Sequence, residues 1–195
     1  MDKETRFKEI EDLRSQGLNS ILIPDYQLAI NKFEDARKIA REIGQRSTEI
    51  ELLDHLSSVY SLLHNYDNSI IATKAAINLT REINDRVAEG IHLTKLGWLY
   101  YRKKDAIEAT RCNLAAIEIA KRSNDQKTLA EALVNQAKIY FAQEKKEKWN
   151  FIFPGMPDSQ HFAFDTPGAE TAGNQNAVRT VQRRGHVFRF QGARI

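Results

Sequence analysis

Five histidines and one cysteine are the residues best suited to hold a metal or attack a substrate, and their spacing serves neither purpose. His55, His64, His92, His161 and His186 never stand in His-Glu-x-x-His spacing, and Cys112 alone cannot build a thiolate zinc site. Cys112 lies inside an amphipathic segment, away from any helix end whose field would lower its thiol pKa, so it reads as a packing residue. Gly168, Gly173 and Gly185 do not form a phosphate loop. Acids mostly alternate with bases, as in Glu34-Asp35-Ala36-Arg37-Lys38, which is the pattern of a solvated helix face. What remains is recognition chemistry. The sequence predicts no catalytic residue, no cofactor and no metal.

The bulk composition agrees. Charged residues make up 28% and hydrophobic residues 42%, which is ordinary for a soluble globular chain. A net charge of +3 is too small to argue for nucleic acid. A single cysteine rules out an intramolecular disulfide and predicts a cytoplasmic setting. The charged start, Met1-Asp2-Lys3-Glu4-Thr5-Arg6, is not followed by the apolar stretch of a signal peptide. No apolar run approaches the roughly 20 residues that span a bilayer, so no membrane partner is expected.

The elements that must present recognition groups repeat every 40 residues. Tyr60, Tyr100 and Tyr140 fall in register, as do Leu13, Leu53, Leu93 and Leu133, and Asp85 with Asp125. A fixed period of this size means stacked supersecondary units, none able to bury its apolar face alone. Within each unit apolar residues recur at three and four, as in Ile50, Leu53, Leu56, Tyr60 and in Ile70, Ala76, Ile77, Leu79. That spacing predicts amphipathic helices. Breakers divide them: Ile43-Gly44-Gln45-Arg46, Asn65 and Asp67, Ile83-Asn84-Asp85-Arg86, and Ser123-Asn124-Asp125-Gln126. Gly, Asn and Asp tolerate left-handed backbone and cap free helix ends. The prediction is helices near 4–22, 25–43, 47–63, 67–83, 87–103, 106–122 and 127–146, with Pro24 in a first turn, and consecutive helices antiparallel.

Small residues also share registers: Gly17, Ser57, Gly97 and Ala137; Ala29, Ser69 and Ala109; Ala36, Ala76 and Ala116. Glycine inside a helix costs about 0.5–1 kcal/mol relative to alanine, so glycine at two equivalent positions predicts a close helix–helix contact there. The pattern Leu93-x-x-Leu96-Gly97-x-x-Tyr100, then Ala109 and Ala116, resembles the tetratricopeptide repeat, with Tyr26 and Tyr66 matching its aromatic at the start of the second helix. The spacing is similar to the longer variety of that repeat, in which a turn like Asn84-Asp85-Arg86 precedes an acid such as Glu89. Gln16 and Gln136 depart from it, standing where Leu56 and Leu96 stand in the other units.

The resemblance implies an all-α, right-handed superhelical solenoid of antiparallel helix pairs over residues 1–148, about three and a half repeats. It further implies that the first helix of each pair lines a concave groove. Its candidates in the C-terminal half are Lys95, Trp98, Tyr101, Arg102, Asn135, Lys138 and Phe141. Aromatic and arginine side chains dominate interface energetics, and cations would favour an acidic peptide or a terminal carboxylate. Asn135 with Lys95 and Arg102 resembles the carboxylate clamp of chaperone-binding repeats without its full set. The alternative is that Trp98 and Tyr101 are core residues or contacts to the tail.

At residue 149 the composition breaks. The 149–195 segment holds no Leu, Lys or Tyr, and Pro154-Gly155 cannot continue a helix. It reads as an irregular tail, disordered over most of 154–185, with a strand at 186–190 and an aromatic cluster of Trp149, Phe151, Ile152 and Phe153 that covers the open end of the array. Arg179, Arg183, Arg184, Arg189 and Arg194 give nucleic acid a minor claim. A truncated or frame-shifted reading frame would also produce such a break. The sequence thus predicts a non-enzymatic adaptor that binds a protein or peptide partner. The alternative is a regulatory subunit or fragment of a larger repeat protein.

Overall fold

A computed structural model describes residues 2–143. Among them every regular element is a helix: α1 (Lys3–Leu22), α2 (Tyr26–Glu42), α3 (Arg46–Leu62), α4 (Tyr66–Glu82), α5 (Arg86–Arg102), α6 (Ala106–Ser123) and α7 (Gln126–Ala142). Each packs on its neighbours in the chain, and α5 also packs on α7. Units are therefore α1–α2, α3–α4 and α5–α6, followed by α7 alone.

Helix edges follow from local chemistry. Asp25, Asn65, Asp85, Asp105 and Asp125 each precede a helix and accept a hydrogen bond from the backbone N–H three residues on, at 2.9–3.2 Å. Asp2 does the same for α1, accepting from Thr5 N–H at 2.7 Å. One residue of every turn takes left-handed backbone: Gly44, Asn84 and Asn124 between units, and Pro24, His64 and Lys104 within them. Pro24, expected inside α2, lies before its cap with φ of 25°. The turn needs a residue of positive φ at that register, and the pyrrolidine ring opposes it. α7 ends at Ala142 and not near 146, with Gln143 N–H donating to the Ile139 carbonyl. The tail, including the expected strand and aromatic cluster, lies outside the described residues.

Gln45 is the exception among the caps, for its side chain makes no capping hydrogen bond. Gln45→Asp should therefore raise stability by about 0.5–1 kcal/mol, read as a higher thermal midpoint.

The predicted close contacts are present. A Cβ built on Gly17 would lie 2.5 Å from the Phe33 ring, and one on Gly97 2.5 Å from Asn113 Oδ1. The same register in the second unit is Ser57, whose hydroxyl lies 2.9 Å from Ser69 Oγ and 2.8 Å from Thr73 Oγ1. Ala29, Ala36, Ala76, Ala109 and Ala116 are fully buried. The core has two parts: one of α1 to α4 around Phe33, Leu52 and Leu56, and one of α4 to α7 around Leu96, Leu99 and Leu129.

Units are also tied by charge. Glu49, only 2% exposed, receives Arg41 at 2.8 Å from the helix before it and Arg46 at 3.1 Å from its own helix. Glu89, at 3%, receives Arg81 at 2.6 Å and Arg86 at 2.7 Å in the same way. At the next seam Leu129 fills the equivalent place.

Candidate recognition face

Odd-numbered helices touch one another through their side chains. Arg14 of α1 pairs with Glu51 of α3 at 3.1 Å, Asp54 of α3 meets Lys95 of α5 at 3.2 Å, and α5 packs on α7. Together they form one continuous face. All seven groove candidates belong to its last two helices: Lys95, Trp98, Tyr101 and Arg102 to α5, and Asn135, Lys138 and Phe141 to α7.

The seven differ in what already holds them. Lys95 is committed internally: its Nζ donates to the Asp54 carbonyl at 3.1 Å, to the Asp54 carboxylate at 3.2 Å and to Ser58 Oγ at 3.2 Å. His92 lies buried against the same carboxylate, Nδ1 to Oδ1 3.3 Å. Burial pushes the Asp54 carboxyl up, but the His92 contact and the Lys95 charge together outweigh it and hold it below the usual range. Sequence reasoning gave no sign of this node, since its members stand about 40 residues apart.

Trp98 and Arg102 form a second cluster with Tyr66, the first residue of α4. The Trp98 and Tyr66 rings meet edge to face at 6.4 Å. The Arg102 guanidinium lies 5.1 Å from the Trp98 ring centre and 5.3 Å from that of Tyr66. His64 Nδ1 sits 3.0 Å from the Tyr66 hydroxyl and steadies that ring. Trp98 also packs on the second core, so it serves core and surface at once. Tyr101, Asn135 and Lys138 are half-buried, and no other described residue pairs with Lys138. Phe141 is 42% exposed.

More apolar surface lies open on the same helices. Leu18 and Leu22 on α1, Leu62 on α3, Ile91 on α5 and Val134 on α7 are all 41–80% exposed. Isolated exposed apolar residues are ordinary, but Leu22 and Leu62 share one repeat position and the others stand on the same set of helices. The face thus combines aliphatic groups along its length with an aromatic-cationic cluster on α5.

Catalytic chemistry finds no comparable arrangement. Cys112 is 1% exposed, and burial pushes its thiol up to about 11, far from a thiolate. Among the described residues no group of three or more His, Cys, Asp or Glu could hold a metal, and no helix is long and apolar enough to cross a membrane.

No family model matches the chain, and no curated protein sequence matches it. Among solved structures, the apo form of RapI superposes with a TM-score of 0.68 at 15% identity, over 75% of this chain and 43% of RapI. BtubC (BKLC) from P. vanneervenii superposes with a TM-score of 0.53 at 12% identity, over 76% of this chain and 68% of BtubC. The chain thus spans less than half the length of RapI. At these identities the likeness is one of fold. The chain is an all-helical repeat fold with neighbouring helices packed in pairs.

Proposed function

We propose that the chain is a non-enzymatic adaptor that binds a peptide segment along the face of its odd-numbered helices. The observation that carries this reading is the set of exposed apolar side chains on those helices, Leu18, Leu22, Leu62 and Val134. Those side chains stand on helices whose other faces are packed, and water contact at exposed apolar groups is relieved by a partner. The repeats are of the 40-residue variety and make up a domain over 1–148, with 149–195 as a separate tail. The lone buried cysteine is consistent with cytoplasmic action. A second reading, a regulatory piece of a longer repeat protein, is supported by the 43% coverage of RapI. Nucleic-acid binding through the tail arginines is the weakest of the three.

Affinity selection by the full chain from a display library of random peptides tests the reading. Leu62→Glu should leave the thermal midpoint nearly unchanged, because Leu62 is 53% exposed, and should weaken the selected peptides by tenfold or more. Raising salt should change their affinity little, whereas phosphate contacts by several arginines would weaken steeply. A library that yields no binder would sink the proposal.

A further inference from the structure

The two edges of the array differ in chemistry. The turns between units are polar, reading Gly44-Gln45-Arg46, Asn84-Asp85-Arg86 and Asn124-Asp125-Gln126. The turns inside units read Leu22-Ile23-Pro24-Asp25, Leu62-Leu63-His64-Asn65 and Arg102-Lys103-Lys104-Asp105, and Ile107 follows the third in the first turn of α6. Leu22, Ile23 and Ile107 are 70–80% exposed, more than any other large apolar side chain among the described residues. Leu62 and Leu63 are 53% and 45% exposed. Turns one repeat apart are neighbours, since Lys103 of the third pairs with Asp67, which follows the second at the start of α4. Ile23, Leu63 and Ile107 therefore stand in one row along one edge. An exposed apolar row rimmed by polar groups is a contact surface.

The pattern of the row identifies its occupant. Aliphatic side chains stand in all three units, so the row reads the same from either end. A second copy turned about a twofold axis at the middle unit sets Leu63 on Leu63 and Ile23 on Ile107, with each contact repeated by symmetry. The ends, by contrast, differ in charge. Asp25 is exposed beside Ile23, where its side chain caps α2. At the other end Lys104 is exposed and forms no ion pair among the described residues, because Asp67 takes Lys103. The equivalent of Asp25 there, Asp105, is half-buried. The twofold brings Asp25 of each copy to Lys104 of the other, whereas a parallel arrangement sets like on like.

We propose that this edge joins two copies of the chain in an antiparallel, twofold dimer, with Ile23, Leu63 and Ile107 along its centre and Asp25–Lys104 pairs at its rims. The dimer lies outside the peptide-binding reading and does not depend on it. The row is short beside the ~800 Å² per partner of a standard interface, so the dimer is weak and reversible.

Light scattering on the full chain tests it. The mass should rise from one chain toward two as concentration goes from about 1 to 100 μM. Leu63→Glu sets two carboxylates against each other on the axis and should return the mass to one chain throughout, with circular dichroism and thermal midpoint confirming the fold. Lys104→Glu should raise the dissociation constant by about tenfold, and Asp25→Asn, which keeps the cap, by less. In the Asp25→Asn background Lys104→Glu should weaken the dimer less than it does in the parent, because the acid it opposes is gone. A mass of one chain at every concentration overturns the proposal. So does a dimer that Leu63→Glu leaves intact. Additive effects at Asp25 and Lys104 overturn the antiparallel pairing.

Discussion

Gly97→Leu should destabilise the array by roughly 1–3 kcal/mol, and Gly17→Leu by at least as much. At Gly97 the first added carbon already falls 2.5 Å from Asn113 Oδ1 and 2.8 Å from its Cγ. Asn113 is fully buried, so it cannot swing outward into water. At Gly17 the added carbon falls 2.5, 2.8 and 2.9 Å from three atoms of the Phe33 ring, which is also fully buried and rigid. The helix-propensity gain on leaving glycine is only about 0.5–1 kcal/mol and does not offset such overlap. Lys103→Ala is the control. It removes a surface ion pair with Asp67, and such pairs contribute about 0–1 kcal/mol. Denaturant midpoints separate the cases, and equal losses at Gly97 and Lys103 would refute the close contact. The second unit suggests a repair. Ser57 and Thr73 satisfy each other at 2.8 Å, while the side-chain amide of Asn113 has no hydrogen-bond partner among the described residues. Gly97→Ser combined with Asn113→Thr should rebuild that pair and exceed Gly97→Ser alone in stability.

Glu89→Ala should cost about 2–3 kcal/mol, and Glu89→Leu should stay within about 1 kcal/mol of the parent chain. Removing the carboxylate strips Arg81 and Arg86 of a shared partner and leaves a hole at a seam that is 3% exposed. Leucine refills the hole, and the register itself shows that leucine is accepted, since Leu129 sits buried at the equivalent seam. A buried ion pair is often no better than a hydrophobic group of like volume, because desolvation consumes most of the attraction. Acid distinguishes the two chains. Burial pushes the Glu89 carboxyl up, but the hydrogen bonds and charges of Arg81 and Arg86 outweigh it and hold it below its ordinary 4.5. A carboxyl lowered on folding contributes its full stabilisation above the unfolded value and loses it as pH falls through the folded one. The parent chain should therefore lose stability below about pH 4.5 more steeply than Glu89→Leu. Parallel acid limbs in the two chains would show that the clamp contributes nothing.

Much of the architecture was legible because its causes are local. Periodicity at three and four places the first six helices within one residue of where they lie and the start of the seventh likewise, but overruns its end by four. Asn65, Asp85 and Asp125 mark starts because an Asx side chain reaches only its own next turn. Gly44, Asn84 and Asn124 mark turns because they accept positive φ. Pro24 misled for the same reason: its preference for a first helical turn is local, and the turn geometry of the repeat overrode it. The seam clamps were not read from the sequence, although Arg41, Arg46 and Glu49 recur at Arg81, Arg86 and Glu89, because their pairing and burial arise only when successive units pack.

The sequence by itself determined the repeat, the helices, the small-residue contacts and the absence of any catalytic or metal-ligand spacing. It also supplied the residue types of the proposed recognition face. Only the tertiary structure decided what each of those residues touches. Lys95 and Arg102 look alike in the sequence, seven positions apart on one helix. Asp54, 41 residues before Lys95, neutralises the first, while the guanidinium of the second lies against the rings of Tyr66 and Trp98. Helix periodicity and capping act over one or two turns, so a sequence records them directly. The charge state and orientation of a surface cation depend on side chains that meet only when separate helices pack.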